Sequence, residues 1–419
     1  MKKILFTCII LLAALQIQAA EQRRETNYDE AKVPQYTLPD LLTCNDGTKV
    51  TTKRLWEKKR RPEVMEMITS QEYGRTPSQK IKVKYETVAE NPTALGGKAT
   101  SRQVRFTFTG NGRTHEAMLL IFIPNNRKGR VPVIMGYNFQ GNVSTCDETD
   151  IIESPFIGQG NLAKKIPERG AQKSRWSFEI PIDHGYAAAT MYYEDICPDS
   201  PSKRDLGIAS LFDGYTTQTH SEDEWQAIGA WAWGSSRICD YLCKQRWVDR
   251  KRIIIHGHSR LGKAALWAGA QDKRFAVVIS NDSGCGGAAL SKRAFGETVE
   301  RINKVFPHWF CPAFRQYGDN EEALPFDQHF LLSLVAPRHL YVNSAEQDNW
   351  ADPRGEFLST LAAGSVWKLY GMQGLPSSQF PAIHQPQIGD IGYHIRAGGH
   401  NVTDYDWTCW INFCEKCLH

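Results

Sequence analysis

The chain has 419 residues, 41% of them hydrophobic and 23% charged, with a formal net charge of +4. These proportions belong to a folded globular protein and exclude a disordered or collagen-like one. A charge so close to neutrality leaves no nucleic-acid footprint, and past residue 20 no unbroken run of about 18 apolar residues suggests a membrane span.

Residues 1–20, MKKILFTCIILLAALQIQAA, combine a short basic start, an apolar stretch and small terminal residues. This pattern predicts a signal peptide cleaved after Ala19 or Ala20 and an exported product, periplasmic or extracellular, although Ile17 and Gln18 fit the small-residue rule poorly. Loss of Lys2 and Lys3 would lower the charge from +4 to +2. Loss of Cys8 would leave ten cysteines in a compartment that permits disulfides, and spacing does not fix their pairing. Cys414 and Cys417 form a lone CxxC with no second pair to complete a tetrahedral site, so no metal is expected there, and the serine chemistry read below requires no organic cofactor.

Residues 21–100 read as an N-terminal extension packed on the main domain, with a helix at PEVMEMITSQEYG and a strand at KIKVKYETV. The basic run Lys53–Arg61 carries an apolar Leu55–Trp56 pair and reads as a helix anchored to a core with a solvated face. From Gln103 onward short β-branched runs alternate with helical patterns: QVRFTFTG, AMLLIFIP, VPVIMGYN, YAAATMYYED, RIIIHGHS, FAVVISND, HLYVNSAEQD and VWKLYG. The first two form a hairpin and the rest are separated by helix-length segments. The catalytic domain, 101–419, is therefore expected to be an α/β three-layer sandwich with a mixed, mostly parallel sheet flanked by helices. Ser221 and Glu224 are spaced as a capping box before the helix EWQAIGAWAWGSSRICDYL, whose Trp225, Trp231 and Trp233 read as core filler.

RIIIHGHSRLGKAALWAGA is strand, sharp turn, helix, with Ser259 at the turn. Chemistry collects at the carboxyl ends of parallel strands, and the first N–H groups of the following helix stabilise an oxyanion. The general nucleophile elbow is G-x-S-x-G, but here Leu261 stands where the second glycine belongs and Gly262 comes one place late. The competing structural reading is an ordinary serine N-cap. A nucleophilic serine needs a base oriented by a carboxylate, in the α/β-hydrolase chain order Ser, Asp or Glu, His. Asp348, beyond the seventh strand, and His400, in the loop GYHIRAGGHN, supply that order. Asp282, ending the sixth strand, also holds a carboxyl-end position. Among rival histidines, His256 and His258 lie too close to Ser259 in sequence, His394 suits a structural hydrogen bond, and His308 and His329 are pocket or structural residues.

These strings resemble the glucuronoyl esterases of carbohydrate esterase family 15, the bacterial branch more than the fungal one. The elbow of that family is G-x-S-R-x-G, and the resemblance runs from GYNFQGN at Gly136 through SGCGGAALSKR, PHWF, LPFDQH, APRHLYV and DNWADPRGEF to GGHN at Asn401. It implies an α/β-hydrolase fold, Ser259 as nucleophile, His400 as base and Arg260 as oxyanion stabiliser. It further implies Lys263, Glu297 and Trp350 as residues around the uronate. The carboxylate varies within the family, and the position after the sixth strand holds a glutamate in some members. Asp282 is one methylene shorter, so the main role is assigned to Asp348 with Asp282 as partner or substitute. The implied substrate is an ester of (4-O-methyl-)glucuronic acid on xylan or lignin-carbohydrate fragments. The alternatives are another carbohydrate esterase, such as an acetyl xylan esterase, and a sugar-binding protein that keeps the fold without turnover.

Overall fold

The strand-forming runs close into one sheet in the computed structural model, which describes residues 25–154, 168–215 and 218–418. The expected signal segment lies outside the described residues. The sheet strands are β1 (Lys82–Ala94), β2 (Ala99–Gly110), β3 (Arg113–Pro124), β4 (Val131–Asn138), β5 (Ala187–Tyr192), β6 (Val248–His258), β7 (Phe275–Asn281), β8 (His339–Ala345), β9 (Gln387–Ile388) and β10 (Ile391–Arg396). Their order is β1-β2-β3-β5-β4-β6-β7-β8-β10-β9. From β5 through β10 neighbours run parallel; β1, β2, β3 and β9 attach antiparallel. The β2–β3 hairpin turns at Asn111 and Gly112, both at positive φ, a geometry whose twist matches that of the strands.

Period-two alternation explains the layers. Ile253, Ile255 and Val278 face one core with Trp231 and Trp267, whereas Ile254, Val277 and Ile279 face a second with Trp407 and Trp410. Helices cover both faces, as the α/β-hydrolase expectation requires. The helix Lys53–Leu55 and the turns after it bury Trp56 while Lys53, Arg54 and Lys58 stay exposed. Residues 25–100 touch the rest closely: β1 pairs along its length with β2, and the Tyr73 hydroxyl donates to Gly286 O at 2.6 Å.

Two expectations are corrected. VWKLYG is not a strand; it falls in and just after the helix Pro353–Leu369. That helix starts with Asp352 accepting from Gly355 N at 2.9 Å and buries Phe357, Ala363, Val366 and Trp367 on one side, so helical periodicity over the whole segment overrides the β-forming character of its end. The eighth expected strand is instead β10, paired parallel to β8. Nor do Ser221 and Glu224 cap the helix Ala227–Leu242. Its first N–H groups donate to His308 O (2.9 Å) and Trp309 O (3.3 Å), and Glu224 pairs with Arg204. The cap comes from a distant loop, brought in by tertiary packing.

No helix among the described residues is long and apolar enough to cross a membrane. The ten described cysteines are all free, eight of them buried.

Candidate active site

β6 ends at His258 and the helix Arg260–Gln271 begins two residues on, leaving Ser259 at φ 57°, ψ −130°. A residue with a side chain pays roughly 1–3 kcal/mol for such a conformation. The fold maintains it through Ser259 N–H donating to Asn281 O at 2.9 Å, and through the N–H groups of Gly262 and Lys263 returning to Ser259 O at 2.8 and 3.2 Å. The displaced glycine has a steric reason. A Cβ at Gly257 would lie 2.0 Å from Leu261 O, so the strand end abuts the Leu261 backbone there, and one at Gly262 would lie 3.0 Å from Ser283 Cβ, so on the helix it is Gly262 whose missing side chain makes room for the turn after β7. Ser259 stands at the N-cap position, yet its side chain makes no capping bond, which argues against the purely structural reading.

Two loops at the same edge of the sheet bring in the other groups. Asp348 follows β8 and is buried, while His400 sits in the exposed loop after β10. His400 Nδ1 meets Asp348 Oδ2 at 2.6 Å, an arrangement that leaves Nε2 free to take a proton. The His400 ring lies 4.3 Å, centroid to centroid, from the ring of His258, the residue immediately before Ser259. The loop is held from below by Arg396, whose guanidinium donates to the carbonyls of Ala397 (3.0 Å), Gly399 (3.1 Å) and Asn401 and to Asp406 Oδ2 (2.8 Å). Asp406 in turn closes the capping box of the helix Asp404–Cys417.

Asp282 is near but differently engaged. It sits at φ 45° and is fully buried; its Oδ1 accepts from Ala345 N at 2.7 Å, and its Oδ2 lies 3.4 Å from Arg396. Burial first, then the charges of Glu356 and Asp348, push its carboxyl well above the usual range. Glu356 lies beneath both aspartates, accepting from Ser283 N (2.8 Å), Gly284 N (3.0 Å) and Ser344 Oγ (2.6 Å).

Arg260 packs its guanidinium against the rings of Trp309 (4.6 Å), Phe306 (5.5 Å) and Phe139 (5.7 Å) and forms an ion pair with buried Asp199. One turn along, Lys263 is buried and donates to Ser283 O at 2.6 Å. Burial lowers the Lys263 ammonium, an effect opposed by the charge of Glu297. Burial likewise raises the Glu297 carboxyl, against Lys263, Arg260 and a hydrogen bond from Trp350. Arg260, Lys263, Glu297 and Trp350 are therefore electrostatic neighbours, and Glu297 also feels His400.

The rival histidines are placed elsewhere or spent. His394 is buried between Asp406 (2.9 Å) and the Tyr341 hydroxyl (2.8 Å), His256 is enclosed by Trp176, Trp407 and Trp410, and His329 faces Pro39 O at 3.1 Å. Burial, followed by the charge of His400, holds His258 well below the usual histidine range, so it packs as a neutral ring. Sequence reasoning missed Asp199, which receives His308 Nε2 (2.8 Å) and Trp309 Nε1 (2.7 Å) besides Arg260. Its one local signal is its place in YEDICPDS, just past the carboxyl end of β5. Among the described residues, only Asp282, Asp348 and His400 bring three potential metal donors within 4.8 Å of one another. The 2.6 Å contact between two of them is a hydrogen bond and Arg396 already supplies positive charge beside the third, a donor set suited to moving protons rather than holding an ion.

Comparison with known proteins finds relatives over nearly the whole chain. Residues 171–371 match the family model described as glucuronyl esterase, fungi. The carbohydrate esterase MZ0003, from an unknown prokaryotic organism, is 44% identical over 94% of this chain and 92% of its own. A glucuronoyl esterase structure from Solibacter usitatus superposes with a TM-score of 0.86 at 41% identity, covering 93% of this chain and all of that one. A promiscuous CE15 esterase from a marine bacterial metagenome gives a TM-score of 0.85 at 42% identity, over 94% of this chain and all of its own. The 4-O-methyl-glucuronoyl methylesterase of Schizophyllum commune is 26% identical over 88% of this chain and 82% of its own. The chain belongs to carbohydrate esterase family 15, the glucuronoyl esterases.

Proposed function

We propose that this protein is a serine esterase that hydrolyses esters of glucuronic acid, including its 4-O-methyl form, as they occur between xylan and lignin alcohols. The observation that carries the reading is the 2.6 Å bond from His400 to Asp348, with the His400 ring 4.3 Å from that of His258, the residue preceding a serine held in a strained elbow at the end of β6. Ser259 Oγ attacks the ester carbonyl as His400 Nε2 takes its proton, and Asp348 stabilises the imidazolium that results. The charge growing on the carbonyl oxygen meets the Arg260 guanidinium and the first N–H groups of the helix Arg260–Gln271. His400 then gives the proton to the departing alcohol. Water, activated by the same nitrogen, cleaves the acyl-enzyme to release the uronate and restore Ser259.

Substrate choice follows from what surrounds the elbow. A buried ammonium at Lys263, a buried carboxyl at Glu297 and the Trp350 indole suit the hydroxyls and ring face of a uronic acid, and an acetyl group has no use for them. The relatives named 4-O-methyl-glucuronoyl methylesterase support that class. Asp282 buttresses the carboxyl end of β8 through Ala345 N and assists the His400 loop through Arg396. The leader pattern at residues 1–20 supports export, which sequencing the N-terminus of the secreted product tests. Substrate class is tested by comparing hydrolysis of benzyl glucuronate, acetylated xylan and an aryl acetate. Preference for the glucuronate is expected; activity on acetate alone would make this an acetyl esterase, and activity on none would favour a binding protein.

A further inference from the structure

Asp199 is fully buried at the turn after β5, and four donors converge on it: Tyr193 Oη (3.0 Å), His308 Nε2 (2.8 Å), Trp309 Nε1 (2.7 Å) and Arg260 Nη1. Burial would raise its carboxyl, but the hydrogen bond from His308, the charge of Arg260 and the indole donor outweigh this and lower it to about 2, so it is an anion at any working pH. Two of the four donors, Tyr193 and Trp309, belong to buried residues, and a third, His308, is partly buried; the backbone or ring of each makes further contacts. Trp309 O and His308 O cap the helix Ala227–Leu242, and Tyr193 packs on Trp231 with centroids 5.0 Å apart. The anion is therefore an immobile anchor.

Arg260 depends on it. Among the described residues the guanidinium makes no other hydrogen bond, and its Nε is buried without a partner. Aromatic rings of Trp309, Phe306 and Phe139 restrict the plane of the group without fixing its rotation within that plane, whereas a directional bond to Nη1 does. Among the described residues Nη2 has no hydrogen-bond partner, which leaves it for a substrate oxygen.

Building on the esterase reading above, we propose that Asp199 is a positioning residue for the reaction, its carboxylate aiming the Arg260 guanidinium at the oxygen that becomes negative in the transition state. Because that charge exists only during the chemical step, loss of the anchor acts on kcat and spares KM. The anchor also removes part of the guanidinium's field, so its contribution lies in geometry and not in added charge.

The test is a coupling experiment on benzyl glucuronate. Asp199→Asn keeps the shape, and Trp309→Phe keeps the ring under Arg260 while removing one donor to the anchor; each is measured alone and together with Arg260→Ala. Removing an oxyanion donor costs about 10²–10³ in kcat, so Arg260→Ala is expected in that range, Asp199→Asn at about 10–100-fold and Trp309→Phe at less. Neither substitution should lower kcat further once Arg260 is alanine. Unchanged kcat in Asp199→Asn and Trp309→Phe, or equal losses with and without Arg260, would make Asp199 merely structural and overturn the proposal. If Asp199→Asn fails to fold, the Trp309→Phe pair decides alone. Wild-type kcat in Arg260→Ala would instead remove Arg260 from the mechanism, and the positioning role with it.

Discussion

The carboxyl ends of β7 and β8 each present an aspartate to the same loop, and the two are used differently. Asp348 gives its Oδ2 to His400 at 2.6 Å; Asp282 spends its Oδ1 on Ala345 N and faces Arg396 with its Oδ2. Residue type and strand-end position are the same, so the two differ in the hydrogen bonds they already make, and under the proposed mechanism these leave Asp348 to orient the base. A carboxylate that also has to stitch neighbouring strand ends together, as Asp282 does, has less to offer the histidine.

Several substitutions break or sharpen this contrast. The largest effect is expected from Ser259→Ala, which should lower kcat by about 10⁶ and leave calorimetric binding of a glucuronate ester intact; with the nucleophile gone, neither aspartate has a rate to influence. Arg396→Gln comes next, because the guanidinium serves Asp282, Asp406 and the His400 loop at once. Removing one partner of a buried ionic cluster costs about 3–5 kcal/mol, so the urea midpoint should drop along with kcat. A stable variant with full activity would show that the loop holds itself. The smallest effect concerns Glu356, which ties the turn after β7 to β8. Burial, partly offset by the hydrogen bonds from Ser344 and Gly284, raises its carboxyl to about 7. An unfolded glutamate titrates near ~4.3, so the folded state keeps the proton between those values. The stability it contributes is complete below the unfolded value and is lost as pH rises through about 7. The melting temperature should therefore fall from pH 5 to pH 8, and Glu356→Gln should flatten that slope.

Much of this was legible in the sequence for local reasons. The elbow reads from a β-branched run, a Gly-x-Ser and a helix pattern within one segment, and the order Ser259, Asp348, His400 follows from their places after strands. The eighth strand was misplaced because VWKLYG contains β-formers, while the forces that make it helical come from Asp352 and the packing of residues 353–369. The cap of the helix Ala227–Leu242 was hidden because it is supplied by His308 and Trp309 carbonyls rather than by the neighbouring Ser221. Asp199 was illegible for a similar reason, since its partners Arg260, His308 and Trp309 lie 61, 109 and 110 residues away. An unaligned aspartate in a loop carries no mark of such company.

The most direct measurement is kcat on benzyl glucuronate for Asp348→Asn and Asp282→Asn side by side, with circular dichroism of each to establish that the fold is kept. Replacing the carboxylate that orients a catalytic histidine lowers kcat by about 10⁴, the loss expected for Asp348→Asn, and Asp282→Asn should stay within about tenfold of the wild type. The reverse ranking would contradict the assignment and transfer the orienting role from the end of β8 to the end of β7.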